Sequence, residues 1–114
     1  MNHIFFGSCI PFAVFLLVYL LRRCRASFRM LWASPLLMAL GATWAVIPDL
    51  PRIVGWTAMD RRLASTQPWI DVFFFHYTIN RHETVNPVFS VLFVLMLLVL
   101  LAAAWKELYR MENR

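Results

Sequence analysis

Three stretches of eighteen residues without a charged side chain constrain the fold of this chain more than any other feature. They are residues 4–21, 30–47 and 88–105. Each stretch is about 27 Å long as an α-helix, which is close to the thickness of the hydrocarbon core of a bilayer. With 61% hydrophobic residues in a length of 114, the chain has more apolar surface than so small a domain can bury. The sequence therefore predicts an all-α integral membrane protein with three transmembrane helices, folded as a single membrane domain over residues 1–114.

The segment between the second and third stretches, residues 48–86, is mixed in character and contains a shorter apolar run. This run, residues 68–79, reads PWIDVFFFHYTI and would be only about 18 Å long as a helix. Because it is too short to span a bilayer, we predict one interfacial or re-entrant helix here. The start of the second transmembrane helix is open, since Ser34-Pro35 is also typical of a helix N-terminus.

The distribution of basic residues predicts how the helices are oriented. Residues 22–29 contain four arginines and no acidic residue, which is typical of a cytoplasmic loop. With three spans, the N-terminus and residues 48–86 then lie outside and the C-terminus lies inside. A bacterial inner membrane is the expected location. The net charge of +5 lies beside the apolar stretches and suits anionic lipid headgroups, so no nucleic-acid partner is expected.

This topology places all three histidines and four of the six acidic residues on the outer face of the membrane. Imidazole and carboxylate groups together are the usual ligands of zinc and other divalent metals. We predict that His3, Asp49, His76 and His82 bind a divalent metal, zinc or manganese, and that Glu83 acts as the catalytic general base. A straight helix over residues 70–83 would keep these later side chains apart, so a break near Asn80 would be required.

Simpler interpretations of the same residues remain open. Asp49 follows the end of a helix and is three residues from Arg52, with which it could pair. A single histidine at a membrane boundary often serves as a hydrogen-bonding or anchoring group.

Three short motifs resemble those of the small bacterial membrane-bound metal-dependent hydrolases, the family that includes the LexA-regulated inner-membrane proteins. The motifs are NHIFFGS, IPDLPRI and HYTINRHE, and they extend over residues 3–83. The resemblance implies that His3, Asp49, His76 and His82 are metal ligands and that the activity is hydrolytic. Pro51 stands where the family pattern has a second aspartate, and five residues separate the two later histidines where the family has four.

The composition favours a function of a different class slightly more than hydrolysis. An aromatic-rich, mostly apolar chain of this length suits a small accessory subunit that stabilises a larger respiratory, photosynthetic or transport complex. The first and third helices have few polar side chains, and small-residue packing motifs are sparse, so neighbouring membrane subunits would supply the missing contacts. A transporter or channel is a weaker alternative, because no ionisable residue lies within a span. The sequence leaves open whether the chain is an enzyme.

Overall fold

The computed structural model describes residues 2–63, 68–82 and 87–114, and these residues form helices and no strands. In chain order the helices are α1 (Asn2–Leu21), α2 (Phe28–Val46), α3 (Leu50–Ile53), α4 (Thr57–Leu63), α5 (His76–Arg81) and α6 (Val88–Glu112). Two 3-10 turns, Ile47–Asp49 and Pro68–Val72, precede α3 and α5. Helices α1, α2 and α6 are long and apolar enough to cross a membrane. The prediction of an all-α membrane protein with three such helices is confirmed.

Helix α2 begins at Phe28, and Ser27 is its N-cap. The Ser27 hydroxyl accepts a hydrogen bond from the Met30 amide at 3.3 Å, which satisfies one of the free donors at a helix start. Ser34 and Pro35 lie inside the helix, and the Ser34 hydroxyl donates to the Met30 carbonyl at 2.7 Å. The alternative start at Ser34 is therefore wrong.

Helices α1 and α2 pack closely where two glycines face each other. A Cβ atom on Gly7 would overlap with the carbonyl oxygen of Gly41, and a Cβ on Gly41 would overlap with the carbonyl oxygen of Gly7. Near this contact the Ser8 hydroxyl donates to the Met38 carbonyl at 3.3 Å. Gly41 and Ala45 are four residues apart on α2, which is the small-residue spacing that lets membrane helices approach. Gly41 and Ala45 therefore form a small-residue packing motif, although such motifs are sparse in the sequence.

Helix α6 completes the bundle through two apolar clusters. One cluster contains Phe5, Met38 and Met96, and the other contains Phe15, Tyr19 and Ala103. Most other apolar side chains of α6 are exposed on the outside of the bundle, as expected for a helix that faces lipid.

The 3-10 turn at Pro68–Val72, which precedes α5, packs against the C-terminal end of α2. The Trp44 indole N–H donates to the Val72 carbonyl at 3.2 Å, and the Trp44 ring lies 5.1 Å from the ring of Phe73. Ile70 is fully buried. These contacts hold α5 at the end of the bundle where α1 begins. Its placement in the membrane interface stays a prediction.

Candidate metal site

Three of the four predicted metal ligands come together at this end of the bundle. Ligand atoms of His3, Asp49 and His76 all lie within 4.8 Å of one another. His3 belongs to the first turn of α1, Asp49 ends the 3-10 turn after α2, and His76 begins α5. Because the three elements are far apart in sequence, this cluster, which we call the His-Asp-His cluster, depends on the tertiary fold.

His76 is the most buried member of the cluster and has a defined orientation. It is 1% exposed, and its Nδ1 lies 3.0 Å from the Ala45 carbonyl oxygen. A carbonyl oxygen only accepts hydrogen bonds, so Nδ1 of His76 carries the hydrogen and donates. The other ring nitrogen, Nε2, lies 3.5 Å from Oδ1 of Asp49. Ala45 therefore fixes which nitrogen of His76 faces the carboxylate.

The chain before His76 turns through two residues with left-handed backbone angles. Phe74 has a φ of 53° and Phe75 a φ of 59°, values that bulky side chains rarely adopt. This turn separates the 3-10 turn at Pro68–Val72 from α5, so residues 70–82 do not form one straight helix. The helix continues through Asn80 and Arg81, so the break that the sequence required near Asn80 lies instead at residues 74–75.

Asp71 stabilises this turn from outside the His-Asp-His cluster. Its carboxylate accepts hydrogen bonds from the amide of Thr78 at 2.8 Å and from the Thr78 hydroxyl at 2.7 Å. These two bonds hold the pKa of Asp71 below its ordinary value of 3.8. The carboxylate thus ties the 3-10 turn to α5.

His3 packs face to face against His76 on the other side of the cluster. The two ring centroids are 4.0 Å apart, and the ring planes differ by 17°. His3 is 9% exposed, whereas the side chain of Asp49 is 31% exposed. The cluster is therefore shielded by the imidazoles and open to water on the side of the carboxylate.

The remaining predicted site residues lie elsewhere. The Nδ1 of His82 is 3.0 Å from the Thr78 carbonyl oxygen, to which it donates. His82 is exposed and is not in the His-Asp-His cluster. Glu83, the predicted general base, lies outside the residues that the structure describes.

The His-Asp-His cluster fits a divalent metal in ligand type, and His76 and Asp49 also fit it in spacing. The ring of His3, which is stacked on that of His76, would have to turn for its nitrogen to reach the same ion. Two imidazoles and one carboxylate are a common ligand set for zinc. Ligands bound to one tetrahedral zinc ion at about 2.0–2.1 Å are about 3.3 Å apart, which is close to the 3.5 Å between Nε2 of His76 and Oδ1 of Asp49. In a neutral ring, Nε2 has only a lone pair, as does the carboxylate oxygen. A proton on Nε2 that makes an ion pair, or a metal ion between the two atoms, would each account for this contact.

The orienting groups around the cluster could not be found by looking for metal-ligand residue types. The Ala45 carbonyl is a main-chain group, which any residue type could supply. The one hint in the sequence is that Ala45 is a small residue four positions after Gly41, a spacing that suggests close helix packing. Trp44 lies in an uncharged stretch and Asp71 is one of the acidic residues of the segment 48–86, so neither pattern predicts an orienting role. Their contacts with Val72 and Thr78 hold the segment that carries His76.

Comparisons with protein-family models, with curated proteins and with solved structures found no match.

Proposed function

We propose that this chain is a membrane-bound, divalent-metal-dependent hydrolase with His3, Asp49 and His76 as metal ligands. The observation that carries the proposal is the convergence of these three side chains, from three separate elements, within 4.8 Å. Three protein ligands leave one position of a tetrahedral metal free, which is typical of catalytic zinc sites. The resemblance to the membrane-bound metal-dependent hydrolases supports the same function.

Ala45 and Asp49 make different contributions to the proposed metal site. The Ala45 carbonyl holds the Nδ1 hydrogen of His76 and leaves Nε2 for the metal, an arrangement common around metal-bound histidines. Asp49 supplies a negative charge on the water-accessible side. A divalent metal held by His3, Asp49 and His76 would supply Lewis-acid activation of a water for ester hydrolysis.

In the proposed orientation the site faces the outside of a bacterial inner membrane. The arginine-rich loop at residues 22–27 follows the end of α1 that is opposite His3. A cytoplasmic position for this loop puts the N-terminus and the His-Asp-His cluster outside and the C-terminus inside. The lipid bilayer is the surrounding of the three long helices, and nucleic acid is not proposed as a partner.

Metal analysis of the purified protein tests the proposal. In mild detergent, with zinc or manganese supplied during expression, we expect about one metal ion per wild-type chain. Asp49→Asn and His3→Ala should lose it. Asp60→Asn, which makes the same chemical change on α4 outside the cluster, should retain it.

His82→Ala decides whether the site has three protein ligands or four. Metal retained in this variant would support the three-ligand site, and metal lost would add His82 to it. A wild-type protein without metal would overturn the proposal, since a protonated His76 paired with Asp49 would then account for the cluster.

The exposed apolar surface of α6 favours a second proposed function, that of an accessory subunit in a larger membrane complex. Large side chains such as Val94, Leu98 and Leu101 are each more than half exposed and could pack against a neighbouring subunit. The same purification distinguishes the two functions. A metal-free chain that co-purifies with a defined set of membrane proteins would support the subunit.

A further inference from the structure

A cavity of about 330 Å³ is lined in part by Asn2 and Phe75, the chain neighbours of His3 and His76. Its apolar walls are the side chains of Phe6, Phe75, Ile79 and Phe89. The rings of Phe6 and Phe89 are 5.3 Å apart, and these residues belong to α1 and α6, two of the helices that can span the membrane. The volume is within the range of about 300–1,000 Å³ that is common for small-molecule sites.

Three residues with polar side chains are among those that line the cavity, although its surface is almost entirely apolar. Asn2, Thr78 and His82 contribute to its lining. A cavity of similar volume, about 340 Å³, lies between α2 and α6 and is lined by apolar side chains alone, including Ala104. Both cavities therefore suit an apolar group such as an acyl chain, and the first differs from the second in which elements line it.

Several residues that line the cavity belong to the same elements as the proposed metal ligands. Asn2 precedes His3, and Phe75 precedes His76. Thr78 lies on the same short helix as His76. A molecule whose apolar part lies among the phenylalanines would consequently have its polar part at the end of the bundle where the cluster lies.

We infer that this cavity binds one acyl chain of a membrane phospholipid and thereby presents the lipid to the His-Asp-His cluster. The inference rests on the proposed hydrolase function and names its substrate class. Three lining residues, Asn2, Phe6 and Phe89, come from spanning helices, so the occupant is expected to enter from the bilayer, where phospholipids are the abundant amphiphiles. An apolar chain in an aromatic-lined cavity is favoured because it removes apolar surface from water.

Lipid binding to the full-length protein in mild detergent tests the inference independently of catalysis. Phosphatidylglycerol is titrated, and bound lipid is counted by native mass spectrometry. We expect one saturable lipid per chain, and no binding of glycerol phosphate, which has no acyl chain. Ile79→Phe fills the cavity and should weaken lipid binding at least tenfold. Ala104→Phe fills the apolar cavity between α2 and α6 and should leave lipid binding unchanged.

The metal content of the same samples separates this inference from the proposed function. Ile79→Phe is expected to keep wild-type metal content, and Asp49→Asn is expected to lose the metal while keeping the lipid. Equal lipid binding by Ile79→Phe and wild type would overturn the inference and leave the metal site intact. If the wild-type protein contains no metal but loses lipid binding on Ile79→Phe, the proposed hydrolase function would be overturned and lipid binding in the cavity would be kept.

A photoreactive acyl chain covers the case in which Ile79→Phe fails to fold. A phosphatidylglycerol with a diazirine on one chain is bound to the wild-type protein at one equivalent and cross-linked. Adducts on residues 2–6, 75–82 and 89 would support the inference. Adducts spread along the exposed face of α6 would contradict it.

Discussion

Replacing Gly7 with alanine should weaken both the helix bundle and the His-Asp-His cluster. The new Cβ atom would overlap with the carbonyl oxygen of Gly41 and would lie 2.8 Å from the Cβ of Ala45. Carbon atoms in contact are normally about 3.5–4.0 Å apart, so α1 and α2 would have to separate by about 1 Å. Neither blocking atom can rotate away, because one belongs to the backbone and the other is bonded directly to it.

The size of the effect follows from two opposing terms. Overpacking in a close contact costs about 1–3 kcal/mol, and the blocked contact here is at the upper end of that range. Alanine recovers about 1 kcal/mol through its higher helix propensity. The net loss is about 2 kcal/mol, which lowers the ratio of folded to unfolded protein about 30-fold.

The separation should also reach the cluster, because Ala45 provides the carbonyl that orients His76. Loss of such an orienting contact typically weakens metal binding by about 10–100-fold. We expect Gly7→Ala to show a decrease of this size in zinc affinity. Unfolding in mixed micelles, followed by circular dichroism, and competition with a zinc indicator measure the two effects.

Ala13→Leu is the matched control, since it adds bulk to an exposed position of the same helix. It should leave both stability and zinc affinity unchanged. Wild-type stability of Gly7→Ala would refute the close contact of the two glycines. A destabilised Gly7→Ala with unchanged zinc affinity would keep the contact and refute its coupling to the cluster.

Two further predictions concern the segment that carries His76. Hydrogen bonds from Thr78 lower the pKa of Asp71, so their stabilisation is complete above pH 3.8 and is lost as the pH falls through the lowered pKa. An NMR titration should give a midpoint below 3.8 for Asp71 in wild type and a higher one in Thr78→Val, which removes the hydroxyl donor and keeps the amide donor; equal midpoints would argue against the hydroxyl bond. Trp44→Phe removes the donor to the Val72 carbonyl and should cost about 0.5–1.5 kcal/mol. Amide exchange should become faster in residues 68–82 and stay unchanged in α6, and a uniform change along the chain would count against a local role.

The three long helices could be predicted from the sequence because uncharged runs of this length have few other stable structures. The start of α2 could not be settled by local patterns. Ser27 and Ser34 are both suitable caps, and Pro35 makes the second one look stronger. A helix from Pro35 to Val46 would be only about 18 Å long, and the need for a longer span favours the start at Phe28.

The composition of the cluster was only partly predictable. A topology with three crossings puts His3 and Asp49 at one end, since they lie at the start of α1 and just after α2. It does not distinguish His76 from His82, because that choice depends on the turn at Phe74 and Phe75. Two consecutive aromatic residues with left-handed angles have no sequence signature, since the surrounding packing imposes this conformation.

The contact between Ala45 and His76 has a consequence for how this position can vary among related proteins. Any amino acid keeps the main-chain oxygen, so no replacement at position 45 deletes the acceptor. The side chain is nevertheless restricted, because it is completely buried against α1. Glycine would lower helix stability there by about 1 kcal/mol and serine would bury a hydroxyl group, so alanine is favoured at a position whose side chain takes no part in the hydrogen bond to His76.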